Sequence, residues 1–454
     1  MFAPAKYDHD GKFVNVTDSA PTNVRPVKFK NPEIPDVVSP YVVRKPSKGI
    51  PRIKGAMSQG TVAQLMSIGP QDRFLSLNPQ MSFFKTAYKR HTNFAVEAFD
   101  ETFGGPQLTF GNTNISTIGK HGDLLGHMTL RVVLPNLGIA GGTWVDAVGY
   151  VLLSRVRLRV GDVVIQTHER LWYDIEDKLF ASEGKLRGVN EMIGRNASLS
   201  TNAEHEILVP LKFACCKTFS GKQQFLPVSC LDTNVDVSVE IDAESLDKCV
   251  VVPAGTTLPP IRGADCSLIV DNVYLDAIER ARFATGEETL MIDVVQDVDQ
   301  VTYATTSEGI VPVTNVTISL RELNMPVKYF AGVAYEESYG ASYFRYLDAI
   351  SSATLFVNSE QQFETRSFPY FALQQTYDRF VRSESTNNVF GFSFALRAES
   401  WQPNGALNFA PLQNTTFRFT LNGAQSTPLK VKLFASCINW IVFKNGRCSF
   451  AFDF

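Results

Sequence analysis

The chain has 454 residues, 44% apolar and 20% charged, as expected of a folded protein of two or more domains. No run of 18 apolar residues occurs and the first residues lack a signal-peptide pattern, so folding in a cytosol without a membrane-spanning helix is expected. The net charge of −3 is uneven: residues 1–57 carry ten Lys and Arg against five Asp and Glu, a basic head on an acidic body.

Residues 1–57 read as an extended arm rather than a domain. Pro21, Pro26, Pro32, Pro35, Pro40, Pro46 and Pro51 interrupt any long helix and disfavour strand pairing. Basic charge there suits an acidic protein surface, acidic lipid or nucleic acid. The basic residues are not interleaved with stacking aromatics, so tethering to protein leads, ahead of a solvated linker.

After the arm, residues 61–68 predict a short helix ending at Gly69-Pro70. Strand patterns then dominate. Met128, Leu130, Val132 and Leu134 alternate with polar residues, as do Val156, Leu158 and Val160, then Val235, Val237, Val239 and Ile241, then Val316, Ile318 and Leu320. Phe390, Phe392, Phe394 and Leu396 are expected to share a face, as are Phe417, Phe419 and Leu421. A period of two places one face in a core and the other toward water, the signature of antiparallel sheets. Gly161-Asp162 predicts a two-residue hairpin. One segment, 169–181, reads firmly as helix, with Leu171, Ile175 and Leu179 every four residues and Trp172 beside them.

The class is therefore all-β with small helical insertions. About 390 residues of short strands fit two sandwiches better than one. Pro253, Gly255, Pro259, Pro260 and Gly263 mark the expected linker, 253–263, between a first domain at 58–252 and a second at 264–454. No internal repeat is visible as residue identity.

Catalytic motifs are missing. The sequence has no phosphate loop, no dinucleotide fingerprint, no HExxH and no GxSxG. Six histidines fall at no metal-ligand spacing, and seven cysteines without a CxxC read as buried free thiols. No catalytic residue, cofactor or metal is expected. A sugar-binding jelly roll remains a rival reading; its one localised hint, Phe368-Pro-Tyr-Phe371, reads more simply as core.

One segment goes beyond pattern. NPQMSFFKTAYKRHTNFAVE at 78–97 resembles the N-terminal signature of major capsid proteins of nucleocytoplasmic large DNA viruses, a family that includes those of iridoviruses, chloroviruses and marseilleviruses. Asn78, Pro79, Phe83, Phe84, Tyr88, Arg90, His91, Thr92, Asn93 and Phe94 carry the match. QLMSIGPQD at 64–72 resembles the family's lead-in. Further matches follow in order: LVPLKF at 208–213 with Pro210, YLDAIERARF at 274–283 with Leu275, Asp276, Glu279 and Arg280, then PVK from Pro326. FSFAL at 392–396 and QPNGALNF at 402–409, with Gln402, Pro403, Gly405 and Asn408, complete the series. Departures are Ala214-Cys-Cys after the third motif, Asn404 in place of serine, and the extra arm.

The resemblance implies a double jelly roll of two consecutive eight-stranded antiparallel sandwiches. It implies three copies forming a six-lobed capsomer in an icosahedral virion shell assembled in the host cytoplasm. Expected partners are two further copies, neighbouring capsomers and minor capsid proteins, with the inner viral membrane a candidate for the arm and no sequence-specific nucleic acid. A minor or paralogous capsid component, or a carbohydrate-binding host-attachment protein, is the alternative. Pro79 is expected to hold Asn78 extended. Phe83, Phe84 and Phe94 are expected as core or interface anchors, and Lys89, Arg90 and His91 as partners for a neighbour's carboxylates.

Overall fold

The computed structural model describes residues 59–452 apart from 70, 87, 106, 220–221, 261–262, 286, 302–304, 307–308, 311–312, 337–342, 384–387 and 426–428. The expected arm lies outside the described residues. The chain divides into two compact units, Met1–His91 and Thr92–Phe454.

In the first unit the described residues form two short helices, α1 (Gln59–Met66) and α2 (Asp72–Ser76). Asn78 follows α2 with a left-handed φ of 54°, not the extended backbone expected before Pro79. Asparagine tolerates this conformation and ends helices with it, and here that preference outweighs the bias from proline.

The second unit holds both sandwiches. The first is built from β1 (Phe94–Glu101), β2 (Thr113–Ile118), β3 (Leu124–Leu134), β4 (Leu153–Val160), β5 (Val163–Glu169), β6 (His205–Pro210), β7 (Val237–Ala243) and β8 (Gly263–Leu275). One sheet runs β1-β8-β3-β6 and the other β2-β7-β4-β5, every pair antiparallel. Their inner faces meet through residues such as Met128, Leu130 and Val132 against Val156, Leu158 and Val239, all buried. Val160 pairs with Val163 across Gly161, whose φ is 57°, so the expected two-residue hairpin forms. Helices α3 (Arg170–Phe180) and α4 (Glu183–Met192) fill the link between β5 and β6.

The strands of the second sandwich are β9 (Glu288–Val301), β10 (Val313–Ser319), β11 (Pro326–Glu336), β12 (Ile350–Val357), β13 (Arg366–Ser367), β14 (Val389–Ser393), β15 (Thr416–Gln425) and β16 (Leu429–Lys444). Its sheets run β9-β16-β11-β14 and β10-β15-β12-β13. Adding eight to each label of the first sandwich gives the second, so the duplication that no residue identity reveals is present as strand order. Helix α5 (Ala277–Thr285) precedes this sandwich. Helix α6, a π-turn Tyr370–Gln374 continued as Gln375–Arg379, fills the link between β13 and β14, the place α3 and α4 take in the first.

Two further expectations are corrected. The division between the sandwiches does not fall at 253–263. β8 begins at Gly263 and lies in the middle of the first sheet, hydrogen-bonded to β1 on one side and β3 on the other. The Pro- and Gly-rich stretch is therefore a connection into the last strand of the first sandwich. Leu396 does not share a face with Phe390 and Phe392 but lies beyond the strand, 63% exposed. The Phe394 and Ala395 N–H groups both donate to the Lys328 carbonyl, which ends the ladder there.

Candidate assembly interface

Two sandwiches make one building block only if their relative position is fixed, and α3 fixes it. Its sequence puts apolar side chains on two sides. Tyr173 enters the core of its own sandwich. Leu171, Trp172, Ile175 and Leu179 pack on the outer face of the second sandwich's sheet, against Tyr329, Ala331 and Val333 of β11 and Phe434 of β16. The Trp172 ring is fully buried, 5.5 Å from Phe434 and 6.5 Å from Tyr329. Truncating such a residue costs about 3–5 kcal/mol.

Around this apolar contact lies a shell of buried charge. The Asp174 carboxylate accepts the Tyr346 hydroxyl of the second sandwich at 2.6 Å and pairs with Arg195 at 2.5 Å and Lys178 at 2.8 Å. Burial alone would raise this carboxyl; Lys178 and Arg195 outweigh it and hold it below the ordinary range. Asp177 accepts the Tyr150 hydroxyl and Lys212, each at 2.5 Å. Lys432 of β16 pairs with Glu169 of the first sandwich and with Asp297 at 3.1 Å. Gln166 donates to the Asp293 carbonyl at 2.5 Å, and the Asp293 carboxylate holds buried Lys328 at 2.8 Å. Such pairs add little net stability, but losing one partner strands a charge in a dry joint. They therefore specify one docking geometry.

A cleft of about 980 Å³ opens beside the joint, lined among others by Arg155, Glu169, Arg170, Glu244, Tyr335 and Lys432. Its charges pair with each other: Arg170 with Glu244, Lys248 with Glu244 at 3.1 Å, Arg155 with Glu169 at 3.4 Å. Among the described residues no group of three His, Cys, Asp or Glu side chains could hold a metal, and all seven cysteines are free thiols.

The residues singled out in the sequence do not converge on one pocket. Phe83, Phe84 and Tyr88 of the first unit are 88–99% exposed and so are not core of this chain. Arg90 and His91 of the same unit are exposed, and so are Thr92 and Asn93, which open the second unit. Phe94 opens β1, opposite Leu275. Pro210 ends β6 opposite Thr129. Asp276 caps α5, its Oδ1 accepting the Ile278 and Glu279 N–H groups at 3.1 and 2.9 Å. Arg280, one residue on, reaches Asp123 at 2.9 Å. Pro326 pairs with Asn408. Between 396 and 405 the chain folds on itself: Asn404 exchanges hydrogen bonds with the Arg397 backbone, the Gln402 carbonyl accepts the Ser400 hydroxyl at 3.1 Å, and exposed Pro403 lies between. Gly405 follows at φ 140°, where a Cβ would lie 2.7 Å from the Phe394 carbonyl oxygen. Sequence reasoning missed Asp123 and the acid residues of α3, whose partners come from distant parts of the chain. The amphipathic pattern of α3 was the only signal that pointed there.

A pair of eight-stranded jelly rolls of identical strand order, joined rigidly without a catalytic constellation among the described residues, defines the class of double-jelly-roll shell proteins. The profile described as "Major capsid protein N-terminus" matches residues 82–276, and that described as "Large eukaryotic DNA virus major capsid protein" matches 279–447. The chain belongs to this family of major capsid proteins of large DNA viruses, and its role is structural, in the virion capsid, assembled with other capsid subunits. The major capsid protein of Pyramimonas orientalis virus is 29% identical over 423 residues, 87% of this chain and 99% of that protein. That of Paramecium bursaria Chlorella virus 1 is 28% identical over 392 residues, 80% and 87% of the two chains. Among solved structures, the subunit of the PBCV-1 virus capsid superposes with a TM-score of 0.69 at 24% identity, covering 82% of this chain and 100% of that one. The Faustovirus major capsid protein gives 0.62 at 9% identity, covering 85% and 96%. The two profiles divide between 276 and 279, where β8 ends and α5 begins.

Proposed function

We propose that three copies of this chain close into a six-lobed capsomer, and that such capsomers tile an icosahedral shell. The observation that carries this reading is the repeat of one strand order in two sandwiches locked by α3. Three such rigid pairs offer six nearly equivalent lobes, which a ring of three subunits can arrange as a pseudo-hexagon. The chain acts by association and performs no catalytic step. Obligate contacts of this kind bury upward of ~2,000 Å².

The exposed aromatics of the first unit, Phe83, Phe84 and Tyr88, serve as anchors for neighbouring subunits, with Lys89, Arg90 and His91 meeting their carboxylates. Large contiguous apolar patches on a protein surface mark contact sites. The basic arm tethers the subunit beneath the shell, to minor capsid proteins or the inner membrane. Assembly takes place in the host cytoplasm.

Light scattering on the purified chain after size exclusion tests the proposal. A species near three times 50.4 kDa is expected. A monomer that persists at high concentration overturns it, and would leave a minor or paralogous capsid component as the better reading.

A further inference from the structure

β1 stands at the edge of its sheet, with β8 on one side and, among the described residues, no strand on the other. It is eight residues long and six of the eight are exposed, Val96 by 53%. The Asp123 N–H donates to the Val273 carbonyl at 2.8 Å, and the Leu275 N–H to the Asp123 carboxylate at 2.9 Å. Val273 and Leu275 therefore turn their backbone groups toward β3. Successive residues of a strand alternate in direction, so Asn272 and Tyr274 turn theirs toward β1, to Glu97 and Ala95. By the same alternation Val96, Ala98 and Asp100 present their N–H and C=O groups to the open side, where no partner strand lies among the described residues.

An edge of this kind is a template for one more strand. Proteins that keep such an edge bare blunt it with Pro or Lys, and β1 contains neither. Its charges are all acidic: Glu97, Asp100 and Glu101. Glu101 is engaged by the Gly119 N–H and by His121, whereas exposed Glu97 and Asp100 have no ion pair among the described residues. The strand that fits this edge is extended and basic. The arm, residues 1–57, lies outside the described residues and holds ten basic residues against five acidic ones. Within it, Tyr41-Val-Val-Arg-Lys45 puts three strand formers in a row with two cations and no acid. A strand laid on β1 becomes the new edge, and Pro40 and Pro46, which bracket this stretch, bar a further strand from adding to it.

We propose that residues 41–45 of one copy add as a strand to β1 of a neighbouring copy, along residues 96–100. The backbone groups of Val96, Ala98 and Asp100 gain their missing partners, and Arg44 and Lys45 meet Glu97 and Asp100. Main-chain hydrogen bonds supply the affinity of such a contact, and side chains supply the choice of partner. Five residues on each side, about 17 Å of extended chain, are enough for the three open positions. Residues 1–40 are left for the tether proposed above. This inference rests on the assembly of copies proposed there and adds the place where the arm docks.

Hydrogen exchange on the assembled full-length chain tests it. The amides of Val96, Ala98 and Asp100 should exchange at least about 10-fold more slowly in the wild type than in the variant Val42→Pro with Val43→Pro. That variant lacks an N–H toward β1 whichever of the two residues faces it. Amides within β3 should exchange alike in both, which controls for folding. Arg44→Glu with Lys45→Glu should also lose the protection, and adding Glu97→Lys with Asp100→Lys should restore it. Residues 43 and 98 are central in their segments and lie opposite each other in either strand direction. Val43→Cys with Ala98→Cys should therefore, on oxidation by air, give bands of two and three chain masses on a denaturing gel, and neither single variant should. Bridges confined to single chains overturn the exchange between copies. If the wild type is trimeric and the three amides exchange as fast as in the proline variant, the docking is wrong while the trimer stands. If folded wild type is monomeric at high concentration, the assembly reading fails and this contact falls with it.

Discussion

Arg280 and Asp123 meet at 2.9 Å across 157 residues of sequence. Asp123 opens β3 and is buried; its carboxylate also accepts the Leu275 N–H at 2.9 Å, and its backbone carbonyl accepts the N–H groups of Val228 and Ser229. One residue thus ties together the start of β3, the end of β8 and the entry to α5.

Asp123→Ala should cost about 2–3 kcal/mol, because it strands a buried N–H as well as removing a charge. Asp123→Asn keeps an acceptor and should recover part of that. Arg280 is half exposed, so Arg280→Ala should cost only about 0.5–1 kcal/mol. Urea unfolding midpoints decide between these values, and equal losses for the two alanine variants would contradict the assignment.

Tyr346→Phe removes one hydrogen bond across the joint and should cost about 1 kcal/mol. Asp174→Asn leaves Lys178 and Arg195 facing a neutral group in a dry site and should cost about 3–5 kcal/mol. Calorimetry is the direct check. The wild type should melt in one transition, and the Asp174 variant should split into two as the sandwiches uncouple.

His168 gives the protein a sensitivity to acid. Its ring is buried against Phe213 and Tyr173, neither nitrogen has a hydrogen-bond partner, and Lys217 and Lys212 lie nearby. Burial first, and then the two lysines, push its pKa well below the ordinary value of 6.5. The unfolded chain therefore binds a proton that the folded one refuses. The contribution is full above about pH 6.5 and is lost as pH falls below it, by up to about 1.4 kcal/mol per pH unit. The lowered Asp174 pKa acts in the same direction, but only below about pH 4. His168→Phe should flatten the dependence between pH 6.5 and 5 in urea titrations, and an unchanged slope would remove His168 from the account.

Gly405→Ala should destabilise by about 1–3 kcal/mol, since both its φ of 140° and the close Phe394 carbonyl exclude a side chain. Gly423→Ala makes the matching control: its φ is also positive, at 76°, but a Cβ there has open space, so the loss should be smaller. Thermal melts of the two variants make the comparison.

Strands were legible in the sequence wherever one face met a core. Met128, Leu130 and Val132 alternate because water lies on the other side. Their partners were not legible, since pairing joins Leu130 to Leu268 and Val209, far apart in the chain. This is why the loop before β8 passed for a domain boundary: a cluster of Pro and Gly signals a turn and is silent on which sheet the next strand enters. The duplication was hidden for a related reason. A jelly roll asks only for apolar side chains on the inward positions, so Met128, Leu130 and Val132 on β3 and Phe330 and Ala334 on β11 serve alike. The exposed signature residues Phe83 and Phe84 drew notice only through the family resemblance, because apolar composition by itself says core. Asp174 could not be told from a surface charge until Tyr346 was seen against it.

The order of strands in each sheet also governs how the subunit is made. In both sandwiches the eighth strand sits inside its sheet, β8 between β1 and β3, β16 between β9 and β11, and a short strand Arg447–Phe450 follows β16 and pairs with its end. During synthesis β1 and β3 leave the ribosome long before the strand that must lie between them. The second sandwich waits the same way for residues 429–444. A polypeptide released early lacks not an edge but a centre: β1 and β9 lose the strand they pair with, while β3 keeps β6 and β11 keeps β14. A chain cut before residue 429 should therefore fail to close its second sandwich.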